Sequence, residues 1–496
     1  MQLLHNLFII NNLWKMVFPF IYIELLKTKS DYKYFSKSSI LLKMKKINKI
    51  ILLPLLLLVS VISCQKDDFG EKSKYAFLSS SDSLREWFKL ECRIIKETDG
   101  FFPPQAARAF GYTGITVYEA VSGGMRSAPS LAGQLDGLTA SMLPQREDNV
   151  AYDWSLASNA AAAEIMRKLF EKKISTINLS NINNLENTQY EKLRIGVVAN
   201  TVIRSVQYGK DVATAMFNYS KTDGGHDSYL DPFQLPYTAP IGVDKWVQTS
   251  AKFATPLSPN WQQCRYMLKS NEIFATPPKP VTFSATDTTS EFYRQAIQVY
   301  KQVKNNTSEQ VEIAKYWADD PFSTCTPSGH TFNILTQILE ETDATLEKAA
   351  VAYGLMGIAE NDAFIACWKT KYDYSLIRPV TYIQKYIDPN FTTVIGTPPF
   401  PAYTSGHATE GAVGSRIMTR LFTNGDGNYP FTDRTQIQFG FSVRNYRNFE
   451  DLANECANSR LYGGIHYDMD NQKGLQMGRG IGDNVLVSIK WPKLAK

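Results

Sequence analysis

The sequence predicts an all-α protein of two helical bundles, with a long irregular crossover between them and the active site in the C-terminal bundle. Three observations predict it. Apolar residues recur at helical spacing along most of the chain, and strand-like alternation is scarce. Between about 221 and 284 the texture changes to Gly, Pro, Asp and aromatic residues, as in DGGHDSYLDPFQLPYTAPIG, which reads as a crossing segment rather than a core element. A chain of 496 residues, 44% apolar and 12% aromatic, has ample material to bury such a core.

The elements follow in order. Residues 1–63 read as an over-extended start (1–43) followed by a signal peptide. MKKINKIILLPLLLLVSVISC has a lysine-rich beginning and an apolar run too short to span a bilayer. The small Ser63 before Cys64 resembles a bacterial lipoprotein cleavage box, with Cys64 as the lipidated residue. Gln65-Lys66-Asp67-Asp68 resembles the surface-export tag of Bacteroidetes lipoproteins. The expectation is an exported protein, lipid-anchored to the outer membrane on the cell surface or the periplasmic face, touching the membrane only through that anchor. The leader holds nine lysines against Glu24 and Asp31, so the net charge of +5 belongs to it. The remainder offers no basic face for nucleic acid. Five scattered cysteines after Cys64, with no CxxC spacing, argue against a zinc site or a disulfide framework.

A polar linker (64–83) precedes an N-terminal region (84–284) comprising a helical bundle and the crossover. Residues 106–121 carry an apolar helical face entered by Pro103-Pro104 and closed by Gly123-Gly124. Residues 154–170 are alanine-rich and favour helix, an Asn-rich connection follows at 178–187, and 190–219 reads as helix again. The C-terminal bundle (285–496) has helical texture at 290–304, 309–316, 332–340, 345–368, 408–422 and from 450 into the 460s.

The chemistry gathers in that second half. Five histidines occur, and two sit among cations: His407 in PPFPAYTSGHATE and His466 in SRLYGGIHYDMD. Upstream, CWKTKYDYSLIRPV places Lys371 ahead of Arg378-Pro379. Lys371, Arg378 and Arg460 are suited to the oxygens of a tetrahedral anion, and guanidinium forks bind two oxygens at once. Ser405 offers a hydroxyl, and Gly406 lets a backbone N–H approach the anion. Two histidines suit in-line chemistry, one attacking or ligating the central atom and the other moving a proton.

Lysine, six residues, Arg-Pro; then Ser-Gly-His; then Ser-Arg, five residues, His, three residues, Asp: this order resembles the vanadium-dependent haloperoxidase and type 2 phosphatidic acid phosphatase superfamily. The stretch around 398–409 is closest to the vanadium chloroperoxidase-like branch, apart from Thr404 in place of proline, a change expected to loosen the loop slightly. The resemblance implies that vanadate is the cofactor and His466 its axial metal ligand. Lys371, Arg378, Ser405, Gly406 and Arg460 would then hold the equatorial oxygens, with His407 at the apical oxygen as acid–base. It implies further that Asp470 orients His466, that Asp320 (Asp319 as the fallback) is hydrogen-bonded to His407, and that Trp368 and Phe400 line a halide pocket.

Two reactions follow from the resemblance. With vanadate and hydrogen peroxide the enzyme would be a haloperoxidase oxidising halide, Lys371 polarising the peroxide, and passing the halogen to a small organic acceptor. Without metal it would be an acid phosphatase, His466 attacking a phosphomonoester to form a phosphohistidine while His407 protonates the leaving group. A third reading, a non-catalytic glycan-binding surface lipoprotein, has no need of the three-part anion site. A second and better-spelled triplet, Ser328-Gly329-His330 preceded by Pro327, has no Lys and Arg-Pro ahead of it. It reads as a helix entry, with the helix beginning near Thr331 and His330 near the outer wall of the pocket.

Overall fold

A computed structural model describes residues 73–233, 237–249, 255–423, 425–492 and 494. The leader, Cys64 and His5 fall outside the described residues. The first helix, α1 (Asp82–Glu97), turns Trp87, Phe88, Ile94 and Ile95 inward. α2 (Pro103–Ser122) has prolines in its first turn, where no intrahelical N–H is required, and is buried almost throughout. α3 (Trp154–Phe170) is capped by Asp153, which accepts from the Leu156 N–H.

The Asn-rich connection expected at 178–187 is instead helical, within α4 (Thr176–Leu193). Asparagine is a weak helix former, but tertiary partners override the propensity. Ser175 caps the start, Asn178 donates to Glu97 at 3.0 Å, and Arg167 of α3 reaches Asn183 at 2.9 Å. The break falls later, where Gly196 takes a positive φ of 78° before α5 (Ala199–Ser220).

Between α5 and the next helix the described residues are irregular apart from short 3₁₀ turns, in keeping with the predicted crossover. Then come α6 (Glu291–Lys304), α7 (Ser308–Tyr316), α8 (Thr326–Glu341), α9 (Leu346–Tyr374), α10 (Pro379–Tyr386) and α11 (Gly406–Phe422). α8 starts at Thr326, so the triplet at 328–330 lies inside its first turn rather than ahead of it. A small antiparallel hairpin, β1 (Phe431–Asp433) with β2 (Arg444–Tyr446), pairs Phe431 with Tyr446. α12 (Phe449–Tyr462) and α13 (Asp468–Ser488) complete the order.

α9, 29 residues long and buried on nearly every face, is the central strut. It packs along α2 through glycine: a Cβ at Gly114 would lie 2.4 Å from the Tyr353 carbonyl oxygen, and one at Gly357 2.9 Å from Gly111 Cα. Only backbone fits at that crossing, which joins the N-terminal and C-terminal halves. Residues 68–496 accordingly form one compact unit. Among the described residues no helix is long and apolar enough to cross a membrane. Cys92, Cys264, Cys325, Cys367 and Cys456 are all buried and free.

Candidate active site

Five chain segments converge on one cavity. The end of α9 supplies Trp368 and Lys371; Arg378 stands at the N-cap of α10; Ser405 caps α11, with Gly406 and His407 in its first turn. Arg460 lies in the last turn of α12, and His466 with Asp470 flanks the start of α13. Glycine again sets the distance. A Cβ at Gly474 would lie 2.7 Å from the Ser405 carbonyl oxygen and one at Gly478 2.0 Å from that of Thr409, so α13 closes directly on α11. The Ser405 N–H donates to the Asp470 carbonyl at 3.0 Å, which ties the two motifs together.

His466 is held from both sides. Its Nδ1–H donates to Asp470 Oδ2 at 2.9 Å, and the Tyr467 N–H donates to the same oxygen at 3.1 Å. That fixes the tautomer with a lone pair on Nε2, which accepts from Arg378 Nη1 at 3.1 Å. Burial, then the nearby charge of Arg378 and Lys371, push the His466 imidazolium well below its ordinary range, so the ring is neutral. His407 is likewise depressed by burial first and then by Arg460. Its ring hydrogen-bonds the Trp317 backbone, and its Nε2 accepts from Arg460 Nη1 at 3.0 Å.

The three cations are fully buried. Arg378 donates from Nε to the Phe400 carbonyl and from Nη1 to that of Ile465, both at 2.8 Å, while Nη2 has no partner among the described residues. Burial brings its guanidinium down to about 9. Arg460 is also lowered, by burial against the opposing charge of Asp319 and Asp320, and its Nε is equally unpartnered. Lys371 differs from the role the resemblance implies. All three ammonium donors go to the carbonyls of Pro401, Ala402 and Thr404, so it pins the 401–404 loop and offers an anion charge rather than a free N–H. Burial lowers it to about 7. Thr404, expected to loosen this loop, is fully buried against Cys367 and Met477, and its carbonyl carries one of the lysine bonds.

The cavity has a volume of about 330 Å³. Gly406, His407, Arg460 and His466 line it together with an aromatic wall of Phe102, Phe322, Phe364, Trp368 and Phe400. Trp368 and Phe400 pack with ring centroids 5.0 Å apart, and Lys371 Nζ lies 5.1 Å from the Phe400 ring centre. Asp320 lines this cavity too, with its charge near Arg460. The fallback Asp319 lines the cavity as well, with both carboxylate oxygens engaged: Oδ2 meets His330 Nδ1 at 3.0 Å and Oδ1 accepts from Gln436 at 2.9 Å.

His330 itself is not on the cavity wall. It is 1% exposed, stacked on Trp317 at 4.5 Å, and its Nε2 reaches Asp433 Oδ2 at 3.1 Å. Every member of the second triplet has an internal partner: Ser328 donates to Glu360 at 3.3 Å, and Gly329 leaves room for the Cys325 side chain. Glu410, one turn beyond His407, accepts from Thr331 and is pushed up to about 8 by burial. Sequence reasoning missed this buried layer. Asp433 and Gln436 belong to the hairpin and its loop, where no motif marks them, though Glu410 at three residues from His407 shares its helical face.

The residues present fit a small oxyanion. Two unpartnered guanidinium nitrogens, a neutral imidazole lone pair and the first turn of α11 surround a place where a Cβ on Gly406 would meet only the Trp368 ring at 3.8 Å. A family model described as the VCPO second helical-bundle domain matches residues 352–491, the stretch holding Trp368, Lys371, Arg378, Phe400, Ser405, Gly406, His407, Arg460, His466 and Asp470. The vanadium chloroperoxidase of Curvularia inaequalis is 22% identical over 469 residues, covering 74% of this chain and 74% of that protein. A holo-type bacterial vanadium-dependent chloroperoxidase shares the fold, with a TM-score of 0.54 at 15% identity over 85% of this chain and 95% of its own. A crystal structure of a bacterial vanadium-dependent iodoperoxidase superposes with a TM-score of 0.73 at 30% identity, over 84% of this chain and 97% of that one. With that much of a related enzyme covered, and the lysine, Arg-Pro, Ser-Gly-His and Ser-Arg–His segments folded around one cavity, the chain belongs to the vanadium-dependent haloperoxidase family.

Proposed function

We propose that the protein is a vanadium-dependent haloperoxidase that oxidises halide with hydrogen peroxide. The observation that carries the reading is the burial of Lys371, Arg378 and Arg460 around the neutral His466, with Arg378 Nη2 and Arg460 Nε unpartnered beside an aromatic wall. Burying three cations together is costly, and a bound oxyanion relieves that cost. Vanadate, when bound, supplies a Lewis-acidic centre that activates peroxide for oxygen transfer to halide. His466 Nε2 would be its protein ligand, with Asp470 holding the ring in the right tautomer. Arg378, Arg460 and the Gly406 N–H would hold its oxygens, and Lys371 would add charge while keeping the 401–404 loop in place.

His407 Nε2 would take the proton from peroxide. Its present partner, Arg460 Nη1, gains a stronger acceptor in an anionic oxygen, which frees the lone pair for that task. Trp368 and Phe400 would line the halide's place in the cavity and keep water from it. The neutral Nε2 of His466 also favours a second reading, attack on a phosphomonoester with His407 protonating the leaving oxygen. Purified protein assayed with orthovanadate, peroxide and iodide, bromide or chloride separates the two from a chromogenic phosphomonoester without vanadate. Halide oxidation that depends on vanadate is expected. Phosphatase turnover with no oxidation of any halide would sink the leading reading.

The site's anion affinity has an expected pH dependence. Lys371, held near 7 by burial, carries its charge below that value and loses it above, so anion binding weakens as pH rises through about 7. Sulfate keeps its charge over this range and is the suitable probe. Calorimetric titration at pH 6 and pH 8.5 should give tighter binding at the lower pH. Equal affinity at both would mean that Lys371 stays charged throughout.

A further inference from the structure

A second cavity, about 500 Å³, opens on the far side of α8 and has two thiols in its lining. Cys92 comes from α1, and Cys325 immediately precedes the first residue of α8. Asn333 joins them: its carbonyl oxygen accepts from the Cys92 thiol at 3.1 Å, and its amide donates to Cys325 Sγ at 3.3 Å. Cys325 also lies close enough to Cys92 to disfavour loss of its proton. Gly329 makes this possible, since a Cβ there would lie 2.5 Å from Cys325 Sγ. Lys89 and Arg93 stand on the exposed rim.

We propose that Cys92 and Cys325 form an oxidisable dithiol that closes to a disulfide with hydrogen peroxide as the oxidant. Cys325 is the attacking group: Asn333 donates to its sulfur, and it stands at the N-cap of α8. Cys92 keeps its proton, because burial and then the neighbouring Cys325 push its thiol well above the ordinary range. The Cys325 sulfur attacks one peroxide oxygen, leaving a sulfenic acid, and the displaced hydroxide takes up the thiol proton as water. The Cys92 sulfur then displaces the hydroxyl, which departs with the Cys92 proton as a second water. Two thiols and one peroxide give one disulfide and two waters. The bond would tie α1 to the start of α8, just beyond the segment containing Asp320, Phe322 and Ser323 that lines the catalytic cavity.

The test needs neither vanadate nor halide, so its outcome is separate from the haloperoxidase reading. The full-length protein is reduced, freed of reductant, treated with hydrogen peroxide, denatured and alkylated. Cys264, Cys367 and Cys456 should take the label, and peptides containing Cys92 and Cys325 should appear linked, with a mass lower by two hydrogens, and separate on reduction. In Cys92→Ser, peroxide should leave Cys325 as a sulfenic acid that a 1,3-dione probe traps. Full labelling of both cysteines after peroxide, a link to another cysteine, or no trapped sulfenic acid in Cys92→Ser would overturn the proposal.

Discussion

Replacing His466 with alanine is expected to lower vanadate-dependent halide oxidation at least roughly a thousandfold and to remove most of the vanadate affinity. No other side chain can take over. His407 is the remaining imidazole in the cavity, and its Nε2 faces Arg460. Asp470→Asn is the graded companion. It keeps the shape but weakens the acceptor for Nδ1–H, and weakening the hydrogen bond behind a ligating imidazole costs about 10–100-fold in metal affinity or activity. Vanadate affinity from equilibrium dialysis, measured beside the oxidation rate, separates ligand loss from unfolding. A His466→Ala protein that keeps wild-type affinity would remove His466 from the site.

The second large effect lies in the buried layer behind the cavity. His330→Phe should destabilise the protein by about 3–5 kcal/mol at neutral pH, the cost of stranding buried charge. Burial alone would depress the His330 imidazolium, but Asp319 and then Asp433 outweigh it and hold the proton well above the ordinary 6.5. The folded pKa is raised, so this stability is complete below about 6.5 and is lost as pH climbs through the folded value. Burial would raise Asp433, but its hydrogen bond and charge interaction with His330 leave it below the ordinary 3.8, so its share is present above that value and is lost as pH falls through the lowered one. Removing the imidazole reverses the situation of Asp433: a buried acid without a cation prefers its proton. The deficit of the variant should therefore shrink as pH drops from 7 towards 4.5. Denaturant unfolding across that range checks it, and a deficit independent of pH would mean that lost ring packing against Trp317, not charge, explains the effect.

Helices with a clear apolar stripe were legible from the sequence because helical periodicity is a local property. The 154–170 segment came out as predicted, α6 one residue shorter, and α9 longer by one and a half turns. Residues 178–187 were misread because Asn propensity argued for a connection while Glu97 and Arg167 supplied distant partners. α13 was not foreseen as a helix. Its glycines at 474, 478, 480 and 482 look like breakers, yet the first two let it press against α11 and so hold the Ser405 and His466 motifs together.

The sequence by itself determined the helical class and the set of charged groups that make the anion site, because residue type, order and short-range spacing are written along the chain. It also separated the two Ser-Gly-His triplets by their neighbours. Only the tertiary structure decided which donors remain free and which are used up: Lys371 on the carbonyls of the 401–404 loop, Asp319 on His330, Arg378 and Arg460 each with an unpartnered nitrogen. Those outcomes depend on which backbone carbonyls and carboxylates reach a buried side chain from remote segments. Hydrogen-bond geometry and desolvation are settled by three-dimensional packing, and no local pattern encodes them.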